Sequence, residues 1–538
     1  MKRGVLTLTA LILVVALLLC GCGELGDYVS RFHDSVNGHS QFHYDDMTYT
    51  RPDLTALEHT LEESCALARE SEDLDAVLDG ILAYYEVYDN FYTNLSLAYI
   101  RYCGDLTDIY WQQEYDYCSA NYAVADAGLE DLYCALAKSP IRAELEGDDY
   151  FGPDYFDAYE GGVQWDETFL SYLEQDNALQ SQYYDLISRN EDLEQEVFLD
   201  EQFENLANIL GQLVVLRKEM ASYMGYPSYG QFAYDFYHYR SYSPAEAMDY
   251  TNAIRIQLSE LYRRVGNSEA WDLLEEQCTE AQTLSYAREC AKAMGDEIWE
   301  AFTVMESMGL YDTTIDPKKM DISFEVYLDS YAIPFVFMKP TGTAYDKLVL
   351  VHEFGHFVHD YVCYGSYAGT DVAEVLSQGM EYLSLFYGND TQELEKLKMV
   401  ENLCVYVEQA AYATFEHRLY EMAEEDLTPE NLRSLYAQVG GEFGLDYEDW
   451  DPREFVLMAH YFAQPMYLIS YVVSNDVAFQ LYILEQDRAG QGLALYEKML
   501  STNESDIQVF VESMEMENPL SQAHVARVRE VLEELLEP

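Results

Sequence analysis

The sequence predicts a mainly α-helical protein that carries one small β-sheet. Apolar residues recur at steps of three and four along most of the chain, the period of a helix with one buried face. Near residue 322 the period changes to two, the mark of a strand. The 538 residues contain neither an internal repeat nor a low-complexity tract. That length exceeds the roughly 250–300 residues at which one core stops growing, so several lobes or one large helical body are expected.

The first 21 residues read as a targeting segment. Lys2 and Arg3 precede an apolar run from Val5 to Leu19, too short for a comfortable membrane span. Leu19-Cys20-Gly21-Cys22 follows and resembles the lipobox of bacterial lipoproteins. The resemblance makes Cys22 the lipidated residue, with Cys20 the weaker alternative. It implies an acyl anchor on the extracytoplasmic face of the cell membrane; an ordinary cleaved signal or an uncleaved anchor is the other reading. Residues 22–50 are polar, aromatic and patternless, and read as a flexible tether.

Helical periodicity begins near Arg51. Leu54, Leu57, Leu61, Cys65 and Ala68 are followed by Leu74, Val77, Leu78, Ile81 and Leu82. The Gly/Asp/Pro stretch from Gly147 to Gly162 predicts a loop, and charged helices resume over Glu167–Glu204. A helix ends at Gly225, with Pro227 just beyond. Ser243-Pro244-Ala245-Glu246 opens another by capping-box logic, and helices continue to about Met308.

Ile322, Phe324, Val326 and Leu328 alternate with Ser323, Glu325 and Tyr327, predicting a strand with one buried face. Ile333 to Met338 predicts a second strand, which Pro334 assigns to a sheet edge. Pro340 to Thr343 turns the chain, and a helix carries Leu348–Val351 into His352. Further helices are expected over about 371–387, 395–424, 455–485 and 523–535. Leu427-Thr-Pro-Glu430 starts one more, and Gly440-Gly441 breaks it.

The balance of 30 basic and 98 acidic residues gives a net charge of −68. That excludes nucleic acid, which needs a basic surface, and disfavours charge-driven binding to anionic lipid. Membrane contact is expected through the N-terminal anchor only. Of ten cysteines, eight lie beyond Cys22, with no CxxC pair, so a zinc ribbon or thioredoxin-like motif is excluded. Disulfides and buried free thiols both stay open for them.

His352-Glu353-Phe354-Gly355-His356 fits HExxH. Histidines at i and i+4 share one helical face and can reach one ion. Zn²⁺ takes imidazole nitrogen and keeps one position open in catalytic sites, and Glu353 is placed to take a proton from water there. A third ligand belongs on a neighbouring helix. Asp371, Glu374, Gln378 and Glu381 lie at steps of three, four and three, a polar face amid Val, Leu and Met. Glu374 is the expected third ligand. Asp371 and Glu381 suit the outer shell, accepting the other ring N–H of a ligating histidine.

HEFGH followed by D-x-x-E-x-x-S-Q-x-x-E resembles the thimet-oligopeptidase and oligoendopeptidase F family of zinc metallopeptidases. Arg217 to Phe232 resembles that family's R-x-x-x-A-x-x-x-G-Y segment. Phe415-Glu416 with Leu427-Thr-Pro-Glu430 resembles its F-E…L-T-x-E stretch. His460-Tyr-Phe-Ala-Gln-Pro-Met-Tyr467-Leu-Ile-Ser-Tyr471 resembles its H-F-Y-x-x-P-F-Y-x-x-x-Y motif, with Met466 where an aromatic is usual. The resemblance implies one Zn²⁺ per chain on His352, His356 and Glu374. It implies a large two-lobed helical metallopeptidase with a deep channel, and oligopeptides as substrates. A helical lobe over 51–200 and a catalytic region over 201–538 are expected as one integrated unit. Phe335, Phe337 and Gly342 occupy the place of the family's substrate-binding edge strand.

His460, Tyr467 and Tyr471, at steps of seven and four, are expected on one helical face as donors to the developing oxyanion. The expected activity is zinc-dependent endopeptidase cleavage of oligopeptides by a monomer, with Glu353 as general base. A silent peptide-binding surface lipoprotein and a dipeptidyl-carboxypeptidase-type zinc enzyme are the alternatives.

Overall fold

A computed structural model describes residues 42–147, 150–160, 166–187, 195–265, 268–365, 368–389, 391–445 and 450–536. The expected signal segment, Cys22 and most of the tether lie outside the described residues. No helix among the described residues is long and apolar enough to cross a membrane.

Helices dominate from Leu54 onward. Leu54–Glu70 and Leu74–Gly104 start at Asp53 and Asp73, whose carboxylates accept from the first free backbone N–H groups. With Ile109–Ser119 and Tyr122–Leu136 they enclose a core that runs from Leu57 to Phe156. Leu74–Gly104 is 31 residues long and serves two cores. Its Val77 to Leu95 side belongs to the first core, while Leu97, Tyr99, Ile100 and Cys103 join the second. The second core is larger and takes in the sheet and the remaining helices. Cys65, Cys103, Cys118, Cys134, Cys278 and Cys290 are buried free thiols.

The sheet has three strands: β1 (Tyr311–Asp312), β2 (Phe324–Leu328) and β3 (Ile333–Phe337). β2 buries alternate residues, as its period predicts. β3 is not the edge that Pro334 suggested. It is central, antiparallel to β2 and parallel to β1. The reason is that β1 has two residues and reaches only Val336 and Phe337. Val336 N–H and Met338 N–H bond toward the β1 side, so Pro334, of the same parity, lacks its N–H where β1 offers no partner. β2 is therefore the outer strand beside the helix that follows.

That helix, Asp346–Cys363, carries HEFGH and packs on β3 and β2. Across it lies Thr370–Tyr387. The two meet at Gly355. A methyl group there would sit 2.7 Å from Ser377 Cα, 2.9 Å from the Leu376 carbonyl and 3.0 Å from Met380 Cβ. Only glycine allows this approach.

Three helical expectations are corrected. Gly440-Gly441 do not break their helix, which runs Pro429–Phe443 and ends at Gly444 in the left-handed region. The Trp450 ring lies against Gly440, 2.3 Å from where a Cβ would be, so this glycine serves packing. The expected helix over 455–485 is interrupted. Ala459–Ala463 is a short helix, Gln464-Pro465-Met466 turns with Met466 at φ 66°, and Ile469–Asp487 resumes. The run expected over 395–424 is likewise divided, by a π-helical turn at Val405–Gln409 between Gln392–Cys404 and Ala410–Glu421.

Replacing Gly355 by alanine is expected to force these two helices apart. Overpacking of this kind costs about 1–3 kcal/mol, measured as a lower urea midpoint for Gly355→Ala.

Candidate metal centre

The Asp346–Cys363 helix turns His352 and His356 toward Thr370–Tyr387, their ring centroids 5.2 Å apart. Glu374 Oε2 lies 3.5 Å from His352 Nε2 and 4.0 Å from His356 Nε2. Bonds of about 2.0–2.1 Å to a shared ion set ligand atoms about 3.3 Å apart. Both Nε2 atoms are buried and lack a hydrogen-bond partner, as does Glu353 Oε2 beside them. Two buried imidazole nitrogens without partners, facing a buried carboxylate, are a donor set that fits a divalent cation. Among the described residues this trio forms the one such group.

Electrostatics point the same way. Burial, together with the charges of His352 and His359, holds His356 well below its ordinary value, so it presents a neutral ring. Burial opposes a charge on His352, yet its hydrogen bond to Glu381 and the surrounding carboxylates raise it to about 9. Burial pushes the Glu353 carboxyl up to about 8 and raises Glu374 as well. Three carboxylates around two imidazoles make a pocket that favours positive charge.

Two of the three candidate ligands, His352 and Glu374, are held from behind. His352 Nδ1–H donates to Glu381 Oε1 at 2.7 Å, which fixes the ring with Nε2 toward Glu374. Ser377 Oγ–H donates to Glu374 Oε2 at 3.1 Å, and the Tyr467 hydroxyl donates to Glu374 Oε1 at 2.7 Å. Tyr467 is thus placed on Glu374, in contrast to the free oxyanion donor expected. His460 and Tyr471 lie alongside, with His460 Nε2 3.3 Å from the Tyr471 hydroxyl. Ring centroids among the three are 5.2–5.7 Å apart. They gather because the chain turns at Pro465, not because they share a helical face. Burial pushes the Tyr471 hydroxyl well up, with Glu374 and Glu353 adding to it, and lowers His460 to about 4.

Asp371 is corrected. It accepts from no histidine. Arg240 Nε (3.3 Å), the Ser470 hydroxyl (2.5 Å) and the Tyr242 hydroxyl (2.8 Å) occupy its carboxylate. The substrate strand is corrected too. Phe335 and Phe337 are fully buried in the central strand, against Tyr44 and Phe324 respectively. Gly342 uses both of its backbone groups internally, its N–H on Asp346 Oδ2 and its carbonyl on Cys278 N–H.

Sequence reasoning missed three buried cations. Arg217 donates to Asp176, to the Tyr461 carbonyl at 3.0 Å and to the Phe462 carbonyl, gripping the short helix that holds His460. Arg240 donates to the Met466 carbonyl at 2.8 Å and to Ser470 Oγ at 2.5 Å besides Asp371, and its guanidinium stacks on Tyr234. Glu416 Oε1 accepts from Met466 N–H at 2.8 Å. Lys398 donates to Glu381 Oε2 at 2.6 Å and Glu401 Oε2 at 3.1 Å. Arg217 was marked only as the head of a family-like segment, and the signal for Arg240 and Lys398 was scarcity: 30 basic residues beside 98 acids leave few cations to bury.

A helical protein with a His-His-Glu group on neighbouring helices beside a small sheet has an HExxH arrangement that fits a metal. Comparison with known proteins narrows this. Residues 44–165 match the Peptidase M3 N-terminal domain and residues 307–529 match Peptidase family M3. The chain is similar to Oligopeptidase PepF of Bacillus subtilis (strain 168), 31% identical over 126 residues; the match spans 20% of this chain and 19% of that protein. Its fold is similar to PZ peptidase A with inhibitor 2, at a TM-score of 0.81 and 18% identity, covering 91% of this chain and 98% of that one. A Bacillus anthracis (str. Ames) structure described as an oligoendopeptidase F matches at a TM-score of 0.78 and 19% identity, covering 92% and 98%. The chain belongs to peptidase family M3.

Breaking the Arg240–Asp371 pair by Asp371→Ala leaves a buried guanidinium without its counter-charge. A loss of about 3–5 kcal/mol is expected, measured by thermal unfolding, with Arg240→Met in addition recovering part of it.

Proposed function

We propose that the protein is a zinc-dependent endopeptidase that hydrolyses oligopeptides, with Glu353 as general base. One observation carries the reading: Glu353 Oε2 is buried without a partner beside two partnerless ligand nitrogens and Glu374. The bound Zn²⁺ supplies Lewis-acid polarisation of the scissile carbonyl and of the attacking water. His352, His356 and Glu374 would hold it, with Glu381 orienting His352, and Ser377 and Tyr467 orienting Glu374.

Glu353 accepts the water proton and delivers it to the leaving amine. The Tyr471 hydroxyl donates a hydrogen bond to the oxygen that becomes negative, and His460 aligns that hydroxyl from behind. An extended peptide lies along β2, the outer strand of the sheet, in a channel between the two helical parts. The reading of Leu19–Cys22 as a lipobox extends the proposal. The enzyme acts as a lipid-anchored monomer outside the cytoplasmic membrane of a bacterium, on peptides that reach it there.

Glu353→Gln is expected to abolish cleavage of a mixed oligopeptide pool while retaining bound Zn²⁺, read by mass spectrometry of fragments with metal analysis alongside. Chelator should abolish wild-type cleavage, and blocked peptides should yield internal fragments. An unchanged rate in Glu353→Gln would sink the enzyme reading; release of C-terminal dipeptides alone would replace endo by exo cleavage. Tyr471→Phe should lower kcat by about 10²–10³-fold, the cost of one oxyanion donor, with KM little changed in steady-state assays.

A further inference from the structure

His352 is braced by more than one carboxylate. Behind it runs a buried chain of charges that starts and ends on the same helix. His352 Nδ1–H donates to Glu381 Oε1 at 2.7 Å. Lys398 Nζ donates to the other oxygen, Glu381 Oε2, at 2.6 Å, and to Glu401 Oε2 at 3.1 Å. The Tyr345 hydroxyl donates to Glu401 Oε1 at 2.5 Å. Tyr345 stands at the start of the Asp346–Cys363 helix, seven residues before His352 and so two turns away on the same face. Glu381 comes from Thr370–Tyr387, and Lys398 and Glu401 from Gln392–Cys404. The circuit therefore clamps one face of the metal-binding helix through two neighbouring helices.

Lys398 supplies the ammonium that joins the two carboxylates of the circuit. Its side chain is 3% exposed, and its ammonium sits 5.0 Å from the centroid of the Tyr382 ring. Both oxygens of Glu381 and both of Glu401 are used. Two buried carboxylates lie on one ammonium. Without it they would face each other in a low-dielectric site, and Glu381 would have no fixed reason to aim at Nδ1.

We propose that Lys398, which touches no metal ligand, is a positioning residue that sets the metal affinity of the centre. It does so by holding Glu381 against His352 Nδ1. The inference rests on His352, His356 and Glu374 being metal ligands. The ammonium fixes Glu381, Glu381 fixes the tautomer and tilt of the imidazole, and Nε2 then presents its lone pair toward Glu374 without a search over ring orientations.

The test is Zn²⁺ binding to the full-length protein at neutral pH, measured by competition with a chromophoric chelator. Thermal unfolding of each metal-free variant is recorded beside it. K398M removes the cation but leaves two buried carboxylates. K398M/E401Q removes the cation without stranding Glu401 as an anion, and keeps the test open if the single variant fails to fold. The expected result is a dissociation constant raised about tenfold or more in K398M/E401Q, the usual effect of losing an outer-shell partner, with metal-free unfolding near that of wild type. K398R, which keeps the charge, should bind more tightly than K398M. Wild-type affinity in K398M/E401Q would overturn the inference and leave the metal reading intact. A wild-type protein that binds no Zn²⁺ would overturn both.

Discussion

The site depends on how closely two helices approach at Gly355. Gly355, the second residue after Glu353, has no chemistry to offer a metal, yet its size governs the centre. With hydrogen in place of a methyl group, the Asp346–Cys363 backbone rests on Ser377 Cα and the Leu376 carbonyl. That contact sets the height at which Glu374, one turn earlier than Ser377 on the facing helix, meets His352 and His356. The same approach brings Glu381 to the far side of His352. Ligand and outer partner thus come from one face of one helix, spaced by seven residues.

Burial of so many charged groups next to one another needs a counterweight. Arg217, Arg240 and Lys398 provide it, each nearly inaccessible and each paired with an acid from another element. Buried ion pairs often add little net stability over a well-packed apolar core. Their role here is read from where they end. Arg217 and Arg240 both terminate on backbone carbonyls between Tyr461 and Met466, a segment that has only a short helix of its own. Glu416 takes the Met466 N–H from the opposite side. Fixed charges do for this segment what a regular hydrogen-bond ladder does elsewhere, and they hold Met466 at its positive φ.

How much of this was legible in the sequence follows from the range of the interactions. HExxH and Glu374 were legible because helical spacing alone decides which residues share a face. The strand from Phe324 to Leu328 was legible because its period is local. Pro334 misled because a proline rules out one hydrogen bond, on one side, and a two-residue neighbour such as β1 leaves no pattern to show where that side ends. Gly440 misled because glycine signals both a break and a close contact, and the Trp450 ring that decides between them lies outside its helix. Asp371 and Glu381 looked equivalent on one polar face. Their partners, Arg240 and Lys398, come from elsewhere in the chain and separate them.

Tyr467 and Tyr471 show the same limit in sharper form. Spacing assigned them one face and one task. The turn at Pro465 and Met466 rotates Tyr467 onto Glu374 and leaves Tyr471 beside His460. Arg240 connects these facts. Its guanidinium holds Asp371, three residues before Glu374, and the Met466 carbonyl, one residue before Tyr467. Glu374 and the hydroxyl that steadies it are therefore referenced to a single buried cation. An error in either position is an error relative to the other, and the pair stays matched only while that cation stays where it is.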